Sequence, residues 1–224
     1  MKNLLATLII ICSLGITTLA NAQYIYNREG NQLKGQDYAN IEGTAYLVDG
    51  WSSGMAKTVN GKEFKDDIKL MYNLYTDQLF FTYTGKDTLA FVEPVRQFTI
   101  NYAEKDQPVI KTFRSGYQGI SKSSPNTFYE VIADGKVQLI KKTTRTIADV
   151  KSYNSATTLK SFRDNSKYYI VKGDKATPVK MDKNSLIAAI GDKQEQLNSY
   201  AVSASLNFKT DGDLAKFVGY YNVL

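Results

Sequence analysis

The sequence contains no histidine and a single cysteine, Cys12, near its start. Protein sites for zinc and copper draw mainly on imidazole and thiolate ligands, so the rest of the chain cannot build one. The same absence excludes a Ser-His-Asp triad, a cysteine nucleophile and an imidazole proton carrier. Acid–base chemistry is left to carboxylates, tyrosines and lysines. We therefore predict no catalytic, metal-binding or cofactor-binding residue and no cofactor, and we favour a protein that is not an enzyme.

Two glycine-rich phosphate-binding patterns, G-x-x-x-x-G-K-[ST] and G-x-G-x-x-G, are also missing. Carboxylates offer the main remaining route to catalysis. Asp66 and Asp67 are adjacent, so on a strand they would point to opposite faces. Asp211 and Asp213 lack the ligand series and the closing glutamate of a calcium loop. The alternative to a non-catalytic function is a carboxylate-dependent hydrolase acting on glycans, which needs two carboxyl groups facing one cleft.

Long apolar runs are confined to the N-terminus. A positive start, Met1–Asn3, precedes an apolar run that reaches about Leu19 and then Ala20-Asn21-Ala22, whose outer residues are small enough for signal peptidase. The run is interrupted before it reaches the ~20 apolar residues of a membrane-spanning helix. We predict a signal peptide over residues 1–22, cleaved between Ala22 and Gln23. The mature protein is expected in the periplasm or secreted to the cell surface, without a membrane span.

Positive charge is concentrated in one part of the chain. The sequence has 28 basic and 22 acidic residues, and Lys136–Lys183 alone contains twelve basic and four acidic ones. This block either forms a patch for an anionic partner or places solvated lysines along sheet edges. The only tryptophan, Trp51, is either a binding platform in a loop or a plug for the end of a sheet. The candidate binding surface consists of Trp51, Lys141, Lys142, Arg145, Lys172 and Lys175.

Alternating apolar residues predict a β-rich body. Ile68–Leu74 and Leu79–Thr84 have a period of two, which is typical of half-buried strands. Thr127–Ala133 and Lys136–Lys142 form a second hairpin around an Asp-Gly turn. We interpret Ser115–Asn126 as a loop. Weak periodicity makes Ile147–Asp164 a short helix or an irregular crossing. Shorter strands are predicted at Tyr24–Tyr26, Thr44–Val48, Met55–Val59, Leu89–Val92, Val95–Tyr102, Val109–Phe113, Lys167–Lys172 and Thr177–Met181.

The last forty or so residues change to a helical period. Asp182 and Asp192 are predicted to cap two helices, and Thr210 with Asp213 resembles a capping box that opens a third. The predicted fold is α+β and mainly antiparallel, with a meander, sandwich-like or partly open barrel body. Its parts are a signal peptide (1–22), a β-rich domain (23–181, with a lead-in at 23–42) and a small helical C-terminal segment (182–224).

Four segments of the sequence form a recognisable set: Gly43–Leu47, the Asn60-Gly61-Lys62 turn before Ile68–Leu74, the Phe128–Lys142 hairpin and the ending Leu214–Asn222. Together they resemble uncharacterised exported proteins of Bacteroidota-type bacteria. The resemblance implies export, a bacterial envelope setting and strands followed by helices. That family has no assigned activity, so the resemblance implies no catalytic residue.

These observations together favour an exported, non-catalytic binding or assembly protein of the cell envelope. Its partner would be an envelope protein, or an anionic glycan or surface, because the excess charge is positive. Nucleic acid is not expected as a partner of an exported protein.

Overall fold

The computed structural model describes residue 38 and residues 40–151 and 158–224. The predicted signal peptide, its cleavage site and the strand predicted at Tyr24–Tyr26 lie outside the described residues. The described strands are β1 (Ile41–Glu42), β2 (Ser52–Thr58), β3 (Glu63–Phe64), β4 (Lys69–Asn73), β5 (Gln78–Thr82), β6 (Leu89–Ala90), β7 (Val95–Glu104), β8 (Gln107–Arg114), β9 (Tyr129–Ala133), β10 (Val137–Lys151), β11 (Thr158–Lys172) and β12 (Lys175–Val179). They are followed by the helices α1 (Lys183–Ile190), α2 (Gln194–Ser203) and α3 (Asp211–Val223).

The described strands form one open sheet. Its order is β1-β11-β10-β9-β8-β7-β2-β4-β5-β6, with β12 also paired to β11 and β3 to β2. The strand β1 runs parallel to β11, and the other strand pairs are antiparallel. The predicted class, a mainly antiparallel α+β fold with a helical C-terminal segment, is confirmed.

The helices pack on β9–β12 and bury one of two hydrophobic cores. Leu186, Leu197, Leu214 and Phe217 are fully buried because the apolar residues of each helix recur every three or four positions and so form one stripe. The stripe meets a face of the sheet that is apolar at every second residue. The strand residues in this core are Val137, Leu139, Tyr168 and Ile170.

Two of the three helix starts follow directly from side chains predicted as caps. The carboxylate of Asp182 accepts a hydrogen bond from the Ser185 backbone N–H at 2.8 Å. The hydroxyl of Thr210 accepts one from the Asp213 N–H at 3.2 Å. Each bond satisfies an N–H that has no partner within the helix. The predicted cap at Asp192 is wrong, because Lys193 occupies the cap position of α2 and Asp192 pairs with Lys172 instead.

The second core lies at the other end of the sheet and is aromatic. Tyr72 contacts Phe98, Phe113 and Phe128 with ring-centroid distances of 5.2, 5.0 and 5.8 Å. The rings of Phe98 and Phe113, on the paired strands β7 and β8, stack at 4.7 Å. Offset and edge-to-face ring pairs add to the stabilisation that burial alone supplies. Phe128 lies just before β9 and therefore connects this core to the central strands.

The prediction for Ile147–Asp164 is wrong, because β10 continues to Lys151 and β11 begins at Thr158. The two strands form one long antiparallel hairpin whose pairs run from Val137–Lys172 to Lys151–Thr158. Most of its outer part is exposed or half-buried on both faces, so its sequence has no clear apolar alternation. The strand predicted at Thr44–Val48 is reduced to a single bridge between Tyr46 and Asn73.

Candidate functional site

One face of the β10–β11 hairpin forms the floor of a groove. Successive strand residues point to opposite faces, so every second residue of each strand lies on this floor. The strand β10 contributes Lys142, Thr144 and Thr146, and β11 contributes Asn165, Lys167 and Tyr169. Lys142 and Lys167 are direct cross-strand partners in the register of the hairpin.

The wall of the groove is the β8–β9 loop, Ser115–Phe128. Its fourteen residues connect two strands that pair directly with each other, as Arg114 does with Tyr129. A hairpin connection of two to five residues is enough for such a pair, and loops longer than about twelve residues are usually either functional or disordered. The chain instead crosses the groove face of the hairpin, where Gly119 packs beside the backbone of Asp174 and Ala176.

Hydrogen bonds hold this loop in place. The Ser115 hydroxyl donates to the Val95 carbonyl at 2.7 Å at the root of the loop. Further along, the Tyr129 hydroxyl donates to Ser123 Oγ at 2.8 Å. The Ser124 N–H donates to Thr127 Oγ1 at 3.0 Å and closes a short polar turn. The wall is therefore anchored at both ends and in the middle, which preforms the groove.

The groove has a volume of about 480 Å³, within the range of small-molecule binding sites. Its lining combines lysine side chains, hydroxyls, one amide and two tyrosine rings. The loop side and the neighbouring strands supply Ile120, Ser121, Lys122, Ser123, Thr127, Tyr129 and Asp77. The rings of Tyr129 and Tyr169 meet edge to face with centroids 6.0 Å apart.

Among the described residues, Asp77 is the one carboxylate that lines the groove, and it is already paired with a lysine. Lys142 Nζ lies 2.7 Å from Asp77 Oδ1 and also donates to the Phe128 carbonyl at 3.1 Å. The buried Tyr72 hydroxyl donates to the same Asp77 oxygen. Burial lowers the pKa of Lys142, although the Asp77 charge opposes this shift. Burial, followed by the Asp77 charge, raises the pKa of Tyr72 well above its usual value.

Two further lysines leave the groove with a positive charge. Lys122 and Lys167 are exposed, and neither forms a salt bridge with another residue in the described ranges. Burial raises the pKa of Tyr129 and of Tyr169 above the usual tyrosine value. The Tyr129 hydroxyl donates to Ser123, so Tyr169 is the tyrosine of the groove whose hydroxyl can donate to a ligand. The arrangement suits a ligand with negative charge and many hydrogen-bonding groups.

The predicted surface residues Lys141 and Arg145 lie on the opposite face of the hairpin from the groove. Lys141 Nζ of β10 binds Asp211 at the start of α3 at 2.7 Å, and the Tyr168 hydroxyl of β11 donates to the same carboxylate. Arg145 binds both carboxylate oxygens of Asp164 and donates through Nη1 to two backbone carbonyls at 2.6 Å. These two cations therefore hold parts of the chain together. Of the six predicted residues, Lys142 is the one that lines the groove.

The other predicted residues are spread over the molecule. Lys172 pairs with Asp192 at 3.1 Å and donates to the Ile190 carbonyl at 2.9 Å. Lys175 is exposed at the first position of β12, and Trp51 is half-buried immediately before β2. The structure does not bring the six residues into one patch, and whether any of them binds a partner stays a prediction.

The sequence analysis missed Lys122, Lys167, Tyr129 and Tyr169 as members of one site. Lys167 and Tyr169 alternate on a predicted strand, which is a signal that they share a face. Nothing in the sequence places the β8–β9 loop over that face, because the crossing depends on contacts between residues more than fifty positions apart, such as Gly119 with Asp174.

Comparisons with protein-family models, with curated proteins and with solved structures found no match to this chain. The fold and the groove therefore define the protein only as an open-sheet α+β protein with a polar cationic cleft. The resemblance to exported proteins of Bacteroidota-type bacteria stays a prediction. Among the described helices, none is long and apolar enough to cross a membrane.

Proposed function

We propose that this chain is an exported, non-catalytic binding protein of the bacterial cell envelope whose groove holds an acidic glycan. The observation that carries the proposal is the β8–β9 loop. A fourteen-residue connection lies where a short turn would serve, and it closes a cleft that presents two lysines, Lys122 and Lys167, neither of which forms an ion pair with another described residue. Loops held on a rigid sheet are a common location for binding residues.

The chemistry of the lining favours a sugar over a purely apolar ligand. Threonine and serine hydroxyls and the Asn165 amide can exchange hydrogen bonds with sugar hydroxyls. The half-buried ring of Tyr169 offers flat surface at a low cost in side-chain entropy, and the buried Tyr129 ring supports it edge to face. The uncompensated charge of Lys122 and Lys167 favours a sugar that carries carboxylate or sulfate groups.

The same lining favours binding over hydrolysis. Glycoside hydrolysis by the common mechanisms needs two carboxyl groups on either side of the bond that is cleaved. In the part of the chain that the structure describes, Asp77 is the single carboxylate of the groove, and it accepts a hydrogen bond from Tyr72 and pairs with Lys142. Asp77 also lines a smaller cavity of about 200 Å³ with Glu93, where phenylalanine rings make up much of the wall. A carboxylate already engaged in this way is a poor proton donor or nucleophile.

Export and the envelope setting are supported by the N-terminal sequence. A charged start, an apolar run and a small-x-small site in that order are typical of a secretory signal. A glycan partner agrees with this location, since the bacterial envelope is where polysaccharides are encountered. Expression of the tagged chain in its own bacterium, followed by N-terminal sequencing of the mature protein, tests this part separately. An N-terminus at Gln23 supports it, and retention of Met1 in the cytoplasm contradicts it.

A calorimetric titration tests the glycan proposal. The purified mature protein is titrated with galacturonic acid oligomers, which carry carboxylates, with sulfated oligosaccharides, and with neutral galactose oligomers as the uncharged control. We expect binding of an acidic series and at least tenfold weaker binding of the neutral one. The variant Lys167→Gln should weaken acidic binding by about tenfold or more, since a hydrogen bond to a charged group contributes about 1.5–3 kcal/mol.

Lys160→Gln is the matched control, because Lys160 is an exposed lysine on the same strand but on the opposite face. Equal losses in both variants would mean that only the overall charge matters. Failure of every acidic glycan to bind, together with reproducible crosslinking to an envelope protein, would replace the glycan by a protein partner. Release of new reducing ends during the titration would instead favour the hydrolase.

A further inference from the structure

A second cavity lies on the other side of the β8–β9 loop. It has a volume of about 390 Å³, again large enough for a small ligand. Val59 and Pro94 form its apolar side, and the loop itself supplies most of the remaining wall. Ile120 and Ser123 line both this cavity and the groove, so a narrow part of the loop separates the two.

Arg96 is the charged residue of this second cavity. Its Nη1 donates to the Ser115 carbonyl at 3.1 Å, which fixes the guanidinium against the root of the loop. Gly116 makes room for it, because a Cβ on this residue would lie 1.6 Å from Nη1. Within the described ranges Arg96 forms no salt bridge, so most of its five N–H donors remain for another partner.

The two cavities therefore present separate cations on the two sides of one loop. Lys122 and Lys167 line the groove, and Arg96 lines the second cavity. A sugar with a single charged group can neutralise one side only. An oligomer with a charged group on successive sugars can contact both, and the second contact then costs little additional translational entropy because the ligand is already bound.

We propose that the ligand is an acidic oligosaccharide with at least two charged sugars, and that Arg96 binds the second charge across the β8–β9 loop. This inference rests on the proposed glycan-binding function and adds the length of the ligand to it. Arg96 contacts the second charged sugar, so only an oligosaccharide ligand makes this contact. Arg96 should therefore matter for long ligands and be neutral for a single sugar.

The test uses galacturonic acid and its tetramer, and in a second arm a sulfated monosaccharide and a sulfated tetrasaccharide. Calorimetry gives the affinity of each for the wild-type protein, for Arg96→Gln and for Lys86→Gln. Lys86 is an exposed cation in a distant turn, so its variant has the same change in net charge. In the arm that binds, we expect the tetramer to bind at least tenfold tighter than the monomer. Arg96→Gln should remove most of that advantage and leave monomer affinity unchanged.

Each other outcome has a definite meaning. Equal affinities for monomer and tetramer, or a tetramer affinity that Arg96→Gln does not change, overturn the inference while the groove proposal stands. Equal losses for monomer and tetramer would show that Arg96 only shapes the loop, which also overturns it. If neither arm shows any binding, the proposed function itself fails. Melting curves of the two variants that match the wild type exclude a folding defect as the cause.

Discussion

On one face of the β10–β11 hairpin, Lys141 and Arg145 are paired with carboxylates of the chain itself, whereas Lys167 on the opposite face has no such partner in the described ranges. Both faces carry cations, although the face of Lys141 and Arg145 also carries the core residues Leu139 and Ile170. The paired face meets α3 and the segment around Tyr46, and its charges fasten these parts together. The other face meets the β8–β9 loop across a groove.

The location of a lysine in a basic block does not tell whether its charge is available to bind a partner. Lys141 and Lys142 are neighbours, yet one binds the start of α3 and the other binds Asp77 at the base of the groove. Each of these lysines is paired with a carboxylate from a distant part of the chain that the fold brings next to it. The proposed function therefore rests on the lysines of the groove that have no carboxylate partner within the described ranges.

The largest effect on stability is expected for Arg145→Met on the paired face. This change removes the bonds to Asp164 and to the carbonyls of Thr44 and Tyr46, so we expect a loss of about 2–4 kcal/mol in the free energy of unfolding. Arg163 is an exposed arginine on the groove face of the hairpin, opposite to Arg145. The free energy of unfolding of Arg163→Met should stay within about 0.5 kcal/mol of the wild type. Urea denaturation measures both, and equal losses would contradict the distinction between the faces.

The next effect concerns the wall of the groove. Gly116 has φ +86° and lies against Arg96, while Gly85 has φ +77° and open space around it. Gly85→Ala should cost about 1 kcal/mol from backbone strain alone. Gly116→Ala should cost about 1 kcal/mol more, because the guanidinium must leave the Ser115 carbonyl, and it should also weaken acidic-glycan binding. Thermal unfolding and calorimetry of the two variants would show whether only Gly116 couples stability to binding.

A smaller effect, on the pH dependence of the free energy of unfolding, is expected when Asp211, the partner of Lys141, is replaced. Burial favours the neutral carboxyl, but hydrogen bonds from Lys141 and Tyr168 outweigh it and lower the pKa of Asp211 below 3.8. A lowered folded-state pKa gives stability that is present above the unfolded value and lost as pH falls through the folded value. Asp211→Asn should therefore be less stable than the wild type at neutral pH and should lose less stability between about pH 5 and pH 3.

Asp106→Asn, at an exposed turn, is the control for this pH profile. It should follow the wild-type curve measured by urea denaturation at each pH. A curve for Asp211→Asn that remains parallel to that of the wild type would show that the Lys141–Asp211 pair does not stabilise the fold.

The smallest effect on stability is expected on the groove face. Lys122→Gln removes an exposed cation that pairs with no carboxylate among residues 38, 40–151 and 158–224, so the free energy of unfolding should change by about 0.5 kcal/mol or less. Affinity for an acidic glycan should nevertheless fall several-fold. A clear loss of stability in this variant would show that Lys122 has a structural partner and would weaken the contrast between the faces.

Much of the fold follows from local sequence signals. The period of two in Ile68–Leu74 and the caps at Asp182 and Thr210 each correspond to an element in the structure, because alternation and capping act within a few residues. The outer half of the β10–β11 hairpin could not be predicted in this way. Its strands are held by pairing with each other over fifteen residues, and this pairing has no local apolar pattern.

The position and lining of the groove are even less predictable from local sequence signals. The sequence indicates Lys142 as a surface candidate only through its charge, and the composition of Ser115–Asn126, which contains Lys122, predicts only a loop. Their common site depends on the crossing of the β8–β9 loop over the hairpin and on the Asp77 carboxylate that arrives from the turn before β5. Such contacts between distant parts of the chain are set by the packing of the whole sheet.

The most direct test of the central claim is a map of backbone amide chemical shifts in the ¹⁵N-labelled mature protein during titration with an acidic tetrasaccharide. Binding in the groove predicts saturable shifts at Lys122, Tyr129, Lys167 and Tyr169, with the amides of α3 around Asp211 unchanged. Shifts confined to α3 and its start at Asp211, or no saturable shift anywhere at millimolar ligand, would contradict it.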